Sequence, residues 1–290
     1  MKKYLKLLRV KQYIKNALIL LPFIFGKQLL DVTVLPKALW GIVSFCFFSS
    51  AVYIFNDLCD ANSDKNHPIK SARPLASGAV SRKTAKVLAV IMTALGAAAN
   101  CFAAGRFWAA WALPAAYLAL NILYSVKLKH IPVVDIIILI SGYWIRVAYA
   151  CVISGRTVSL WLHLTVIAVS GYLVLGKRYK ETTVVKEENA TRSVLKYYSP
   201  SALGISMVIS LCVIVLLYFL WSISDGTTEF FGNSAMVLTS PLVALICFAY
   251  HNALRKSKTD DPVEILFGSK LLLLMLAVYA AAVAAVIYFI

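Results

Sequence analysis

Nine stretches of the chain are apolar over lengths that suit a lipid bilayer: 16–30, 36–56, 84–104, 107–125, 133–153, 158–176, 201–222, 234–254 and 270–290. A transmembrane helix needs about 20 predominantly apolar residues, and it satisfies its backbone groups without water. The spacing predicts an all-α polytopic membrane protein, with about nine transmembrane helices in a single integral-membrane domain over 1–290. Composition agrees, with 61% hydrophobic and 14% charged residues, where a soluble domain is about half apolar and a quarter charged. This excludes a soluble enzyme, a disordered chain and a fibrous repeat. Pro114 and Pro241 fall inside apolar runs and are expected to kink their helices. The six cysteines are scattered, none in a CxxC pair. They read as small hydrophobes, with no disulfide framework and no cysteine metal site. Trp40, Trp108, Trp161 and Trp221 lie near run ends and read as interfacial anchors.

Charge orients the bundle. With a cytoplasmic N-terminus, 24 of the 29 Lys and Arg fall in the inside segments 1–15, 57–86, 126–132, 177–200 and 255–270, and four fall outside. Cytoplasmic loops carry such an excess, so nine crossings place the C-terminus outside. The same bias accounts for most of the net charge of +16 without a nucleic acid. A basic inner face suits anionic membrane lipids and phosphorylated substrates. Residues 1–15 form a basic, amphipathic cytoplasmic segment with no convincing cleavage site after it, so insertion is expected to use the spanning helices themselves. Large loops follow the second and sixth runs and small ones the fourth and eighth. This four-plus-four rhythm leaves the ninth run as an addition.

The second apolar run leads directly into Asn56-Asp57-Leu58-Cys59-Asp60-Ala61-Asn62-Ser63-Asp64. If the helix continues, Asn56, Asp57, Asp60 and Asp64 share one arc of about 100°. Three carboxylates on one face repel each other unless a cation lies among them. Hard oxygen donors of this kind suit Mg²⁺, which commonly binds through a few carboxylates and substrate phosphates. The cluster holds three of the chain's 13 acids and reads as a Mg²⁺–diphosphate site, with Mn²⁺ as a substitute. Pro68 and Pro74 are expected to end helical structure and shape an ordered loop. Lys70 and Arg73 supply cations beside the acids, and Arg suits bidentate phosphate contact. His67 reads as a turn residue rather than a ligand.

At these residues the chain resembles the UbiA superfamily of intramembrane prenyltransferases. The likeness rests on the NDxxDxxxD pattern (Asn56, Asp57, Asp60, Asp64), then Lys70, Arg73-Pro74-Leu75 and Gly78. Tyr124-Ser125 with Leu128-Lys129, Asp135 farther on, and Lys15-Asn16 before the first run extend it. The resemblance implies nine helices around a central cavity capped by cytoplasmic loops (here 56–82 and 176–200), with Mg²⁺ between an Asp-rich loop and a diphosphate. It also implies a multi-pass protein of the bacterial inner membrane whose active site faces the cytoplasm.

Prenyltransferases of that superfamily carry a second Asp-rich motif after the sixth helix. Here the position reads Gly176-Lys177-Arg178-Tyr179-Lys180-Glu181-Thr182-Thr183. This pattern, with Asp261-Pro262-x-Glu264 and Asp64-x-x-His67-Pro68-x-Lys70, is similar to one branch, the decaprenyl-phosphate phosphoribosyltransferases. The branch implies transfer of 5-phosphoribose from phosphoribosyl diphosphate (PRPP) to a polyprenyl phosphate such as decaprenyl phosphate, feeding arabinose or ribose donors for the cell envelope. On that reading Asn56, Asp57, Asp60 and Asp64 bind Mg²⁺ and diphosphate, while Lys70, Arg73, Lys177 and Arg178 bind donor phosphates. Tyr124, Lys129 and Asp135 contact ribose, metal or phosphate, although Asp135 also reads as a helix-start residue. Lys15 meets the lipid phosphate or only adds to the inside charge. Arg146, inside an apolar run, is functional or pairs with a buried acid. Glu181 is expected to orient Lys177. Two alternatives stand beside this one: a UbiA-type transfer of a prenyl group to an aromatic or lipid acceptor, and a secondary transporter of anions.

Overall fold

The computed structural model describes residues 2–66, 70–156, 159–184 and 193–289. Among these residues it is helical, without strands. The elements are α1 (Lys2–Leu8), a 3₁₀ segment (Val10–Leu20), α2 (Leu21–Phe25), α3 (Leu35–Asp64), α4 (Arg82–Ala104), α5 (Ala109–Val126), α6 (Val134–Ser154), α7 (Leu160–Val184), α8 (Pro200–Ile223), α9 (Asp225–Phe231), α10 (Ser240–Lys256), α11 (Pro262–Gly268) and α12 (Lys270–Tyr288). Eight are long and apolar enough to cross a membrane: α3 to α8, α10 with the 3₁₀ turn before it, and α12.

The first apolar run departs from expectation. Residues 16–30 do not make one long α-helix; the 3₁₀ segment passes at Leu21 into a helix of five residues, with Pro22 in its first turn. Proline suits a helix start, where its missing N–H has no partner to lose. Pro36, Pro200, Pro241 and Pro262 begin helices in the same way. Pro241 therefore opens α10 and does not kink it. Pro114 does lie inside α5, so the Ala110 carbonyl loses its helical donor. Asn100 of α4, fully buried, donates to that carbonyl at 3.1 Å, and Tyr149 of α6 donates to the Asn100 side-chain oxygen at 2.6 Å.

The chain divides into two compact units, the first carrying α1 to α6 and the second α7 to α12. Each holds four spanning helices. The four-plus-four rhythm is present, with the odd segment at the N-terminal end and not at the ninth run. In the first unit α3 and α4 pack closely: a Cβ on Gly96 would lie 2.7 Å from Phe48, and Ser44 donates to the Gly96 carbonyl at 2.9 Å. Small residues permit such approach where lipid offers no hydrophobic drive. Phe23, Phe45, Tyr117, Ile145 and Tyr149 fill one cluster. A second cluster joins Leu7 of α1 and Leu75 and Val80 of the following loop to Ile54 and Met92. In the second unit Tyr172, Met207, Leu254 and Leu272 form the core, and a Cβ on Gly176 would meet Leu254 at 2.6 Å. All six cysteines are free thiols.

Candidate active site

At about 1.5 Å per residue, the 30 residues of α3 run for about 45 Å, longer than the roughly 30 Å of hydrocarbon. Its last turns therefore continue beyond the apolar stretch and carry the acidic motif as helix. Asp57 and Asp64 are buried, 3% exposed each, and Asp60 half-buried. A carboxylate removed from water needs a partner, and cations from three other segments provide them. Arg9 donates through Nη2 to Asp57 Oδ1 at 2.5 Å. Arg73 bridges two acids through Nη1, at 3.3 Å to Asp57 Oδ1 and 2.7 Å to Asp64 Oδ2. Lys129, itself buried, donates to Asp60 Oδ1. Asn56 donates to Asp60 Oδ2 at 3.0 Å and accepts from Ser125 of α5 at 3.2 Å.

The cations are positioned by packing. Burial of Leu7, worth about 1.5–3 kcal/mol, seats α1 on the first unit. From there Lys3 donates to the Ala79 carbonyl and Lys6 to the Ala72 carbonyl, both in the loop that carries Arg73. Arg9 turns the chain with φ of 51°, and its guanidinium carbon stands 5.0 Å from the centre of the Tyr53 ring. On the other side Val133 has φ of 68°, in the tight turn closed by Val134 N to Pro132 O at 2.8 Å. A β-branched residue there is strained. It joins the 3₁₀ turn that holds Lys129 to α6, where Asp135 is fully buried in the first turn.

The 3₁₀ segment continues inward along α3. Tyr13 bonds Ser50 at 2.7 Å, and Ser50 donates to the Leu8 carbonyl at 2.9 Å. Asn16 accepts from Arg146 Nε at 2.8 Å. Arg146 also donates to the Gly142 carbonyl at 2.5 Å and to Ser49 and Tyr117 at 3.1 Å. Its guanidinium stands 4.8 Å from the Tyr117 ring centre. The charge is thus buried among neutral acceptors and aromatic faces; among the described residues no acid pairs with it, against that expectation.

In the second unit, the basic end of α7 is largely occupied by its own surroundings. Arg178, fully buried, donates to Glu181 one turn later. Glu181 thus pairs with Arg178. Lys180 donates to the carbonyls of Arg255 and Ser257 at 3.0 and 2.7 Å, closing the C-terminal end of α10. Lys177 is a third exposed and lies 3.8 Å from Asp260. Asp261 caps α11 by accepting from Val263 N at 2.9 Å, and Glu264 accepts from Thr259 at 2.9 Å.

Of the residues singled out in the sequence, Asn56, Asp57, Asp60, Asp64, Arg73 and Lys129 come together. Tyr124 is buried near the end of α5 and Lys70 opens the short turn before Arg73. Lys15 stands 5.8 Å from the Tyr143 ring centre. His67 and Pro68 lie outside the described residues. Ser125 stood in the Tyr124-Ser125 motif without a role of its own, and Arg9 was not anticipated: nothing distinguished it from five other cations in the first 15 residues.

Among the described residues no group of three His, Cys, Asp or Glu stands ready to hold a metal ion. The donor chemistry nonetheless fits a hard divalent cation, because three carboxylates and an amide oxygen lie along one helical arc. Each carboxylate is engaged by Arg or Lys, and would exchange that partner to become a ligand.

The profile of the UbiA prenyltransferase family matches residues 19–274, and the chain belongs to that family. It is a multi-pass membrane transferase of the UbiA class. The chain is 30% identical to the decaprenyl-phosphate phosphoribosyltransferase of Mycobacterium tuberculosis, over 98% of this chain and 94% of that one. It is 32% identical to the protein of the same name from Corynebacterium glutamicum, over 78% and 69%. A UbiA homologue from Archaeoglobus fulgidus, solved with GPP and Mg²⁺, shares the fold with a TM-score of 0.72 at 21% identity, covering 98% of this chain and 99% of its own.

Proposed function

We propose that the chain transfers 5-phosphoribose from phosphoribosyl diphosphate to a polyprenyl phosphate and releases diphosphate. What supports this reading is the near full-length similarity to proteins named for that reaction. The acceptor phosphate oxygen attacks the anomeric carbon of the donor, and the bond from that carbon to the diphosphate breaks, its electron pair leaving with the diphosphate. The acceptor oxygen is already anionic at neutral pH, so the chain need not supply a strong general base. Its task is to position two anions and offset their repulsion.

Asn56, Asp57, Asp60 and Asp64 are the residues that would hold Mg²⁺, which when bound supplies positive charge to the departing diphosphate. Arg73 and Lys129 stand where phosphate oxygens would meet them beside these carboxylates, and Lys70 precedes Arg73 on the same loop. Lys177 is the accessible cation on α7 and is assigned a substrate phosphate. Arg178, paired with Glu181, acts by holding that helix end in shape. Tyr124 and Asp135 are assigned contacts to ribose, metal or phosphate, and Lys15 is assigned the lipid phosphate. The acidic end of α3 faces the cytoplasm on this reading, as the charge bias requires.

A donor swap tests the assignment. Purified protein in detergent with Mg²⁺ receives phosphoribosyl diphosphate and a polyprenyl phosphate in one tube, and a prenyl diphosphate with an aromatic acid in another. Phosphoribosyl lipid in the first tube alone, read by mass, is the expected result. Prenylated acid in the second tube alone would overturn it.

A further inference from the structure

The acidic cluster carries its own counter-ions: three carboxylates on α3 and three cations, Arg9, Arg73 and Lys129, from segments remote in sequence. A divalent ion taking those oxygens must displace or share these partners, and a guanidinium on the same carboxylate repels it. Arg9 is the most telling of the three. Among the described acids it touches only the buried Asp57, while its own side chain remains 26% exposed. It reaches Asp57 from the short segment between α1 and the 3₁₀ stretch, and is steadied by Tyr53.

We propose, resting on the diphosphate reading above, that Arg9 is an exchangeable counter-ion. It holds Asp57 in the metal-free protein, and it transfers to a phosphate oxygen of the diphosphate when Asp57 becomes a metal ligand. The exchange makes metal and diphosphate bind cooperatively, since each removes the partner that opposes the other. Coupling of this kind is reciprocal. A purely structural ion pair would behave differently, because its loss would loosen the site for both.

Two affinities on the purified full chain separate these cases: Mn²⁺ alone, followed by its electron paramagnetic resonance signal, and inorganic diphosphate in saturating Mg²⁺, followed by calorimetry. Arg9→Gln is expected to bind Mn²⁺ alone more tightly and the Mg²⁺–diphosphate more weakly, each by at least about fivefold. Arg9→Lys keeps the charge and should hold both affinities within about threefold of wild type. If the Gln variant weakens both affinities, changes neither, or is matched by the Lys variant, the proposal is overturned. Arg73→Gln, which frees Asp57 and Asp64 together, gives the same opposed shifts and serves if Arg9→Gln does not fold. Asp57→Asn separates the two levels of the reading. If it leaves Mn²⁺ binding unchanged, the metal assignment fails and the Arg9 exchange with it. If it abolishes Mn²⁺ binding while Arg9→Gln matches wild type, only the exchange fails.

Discussion

The ends of α3 and α7 both collect charge at the edge of an apolar helix, and they spend it differently. The carboxylates of α3 reach across the first unit to cations 48, 16 and 69 residues away in the chain for Asp57 with Arg9, Asp57 with Arg73 and Asp60 with Lys129. The cations of α7 use other partners, Arg178 the carboxylate of Glu181 three residues on and Lys180 two backbone carbonyls at the end of α10, 75 and 77 residues away. The acidic end is therefore held by ion pairs between side chains distant in sequence, and the basic end by one local ion pair and by bonds to backbone carbonyls. A run of three cations in four residues looked like a phosphate site in the sequence. Two of the three are engaged by buried or backbone groups of the protein, Arg178 by Glu181 and Lys180 by the carbonyls of Arg255 and Ser257.

The largest effect expected is on activity at the acidic end. Asp60→Asn should reduce turnover by at least about a hundredfold even in saturating Mg²⁺, measured as lipid product by mass; wild-type turnover would remove Asp60 from the metal site. Next comes the buried pair on α7. Arg178→Met removes the buried guanidinium that Glu181 accepts from, and breaking such a pair costs about 3–5 kcal/mol, visible as a lowered melting temperature in detergent. A melting temperature like wild type would mean that α7 is not held by this pair. Asn100→Leu strips the donor from the Ala110 carbonyl above Pro114 and the acceptor from Tyr149. Each orphaned group costs about 1–3 kcal/mol, so the melting temperature should fall by an amount comparable to that for Arg178→Met; a wild-type melting temperature would remove this bond pair from the helix packing. The smallest stability change belongs to Lys177→Ala, whose exposed pair with Asp260 is worth about 0–1 kcal/mol. That variant should melt like wild type yet raise the donor KM. An unchanged KM would leave the whole basic end structural and make the contrast between the two helix ends complete.

Much of the fold was legible because apolar run length is a local property. The runs beginning at 36, 84, 107, 133, 158, 201, 234 and 270 each became part of a spanning helix. The run at 16–30 did not, since its apolar count concealed a 3₁₀ stretch that passes into a short α-helix at Leu21 and a polar residue, Asn16, bonded to Arg146 of α6. The acidic arc was legible for a similar reason: helical periodicity places Asp57, Asp60 and Asp64 together whatever lies opposite.

By itself, then, the order of residues determined which segments suit a membrane and that three carboxylates and an amide share one helical face, since both depend on neighbours within a few turns. The tertiary structure alone decided what meets that face. Arg9 was one basic residue among six until Leu7 seated α1 and a left-handed backbone turn aimed it at Asp57. Arg146 was a costly charge in an apolar run until Asn16, Ser49, Tyr117 and the Gly142 carbonyl enclosed it. Pairings of this kind depend on contacts between residues dozens of positions apart, and local periodicity carries no information about them.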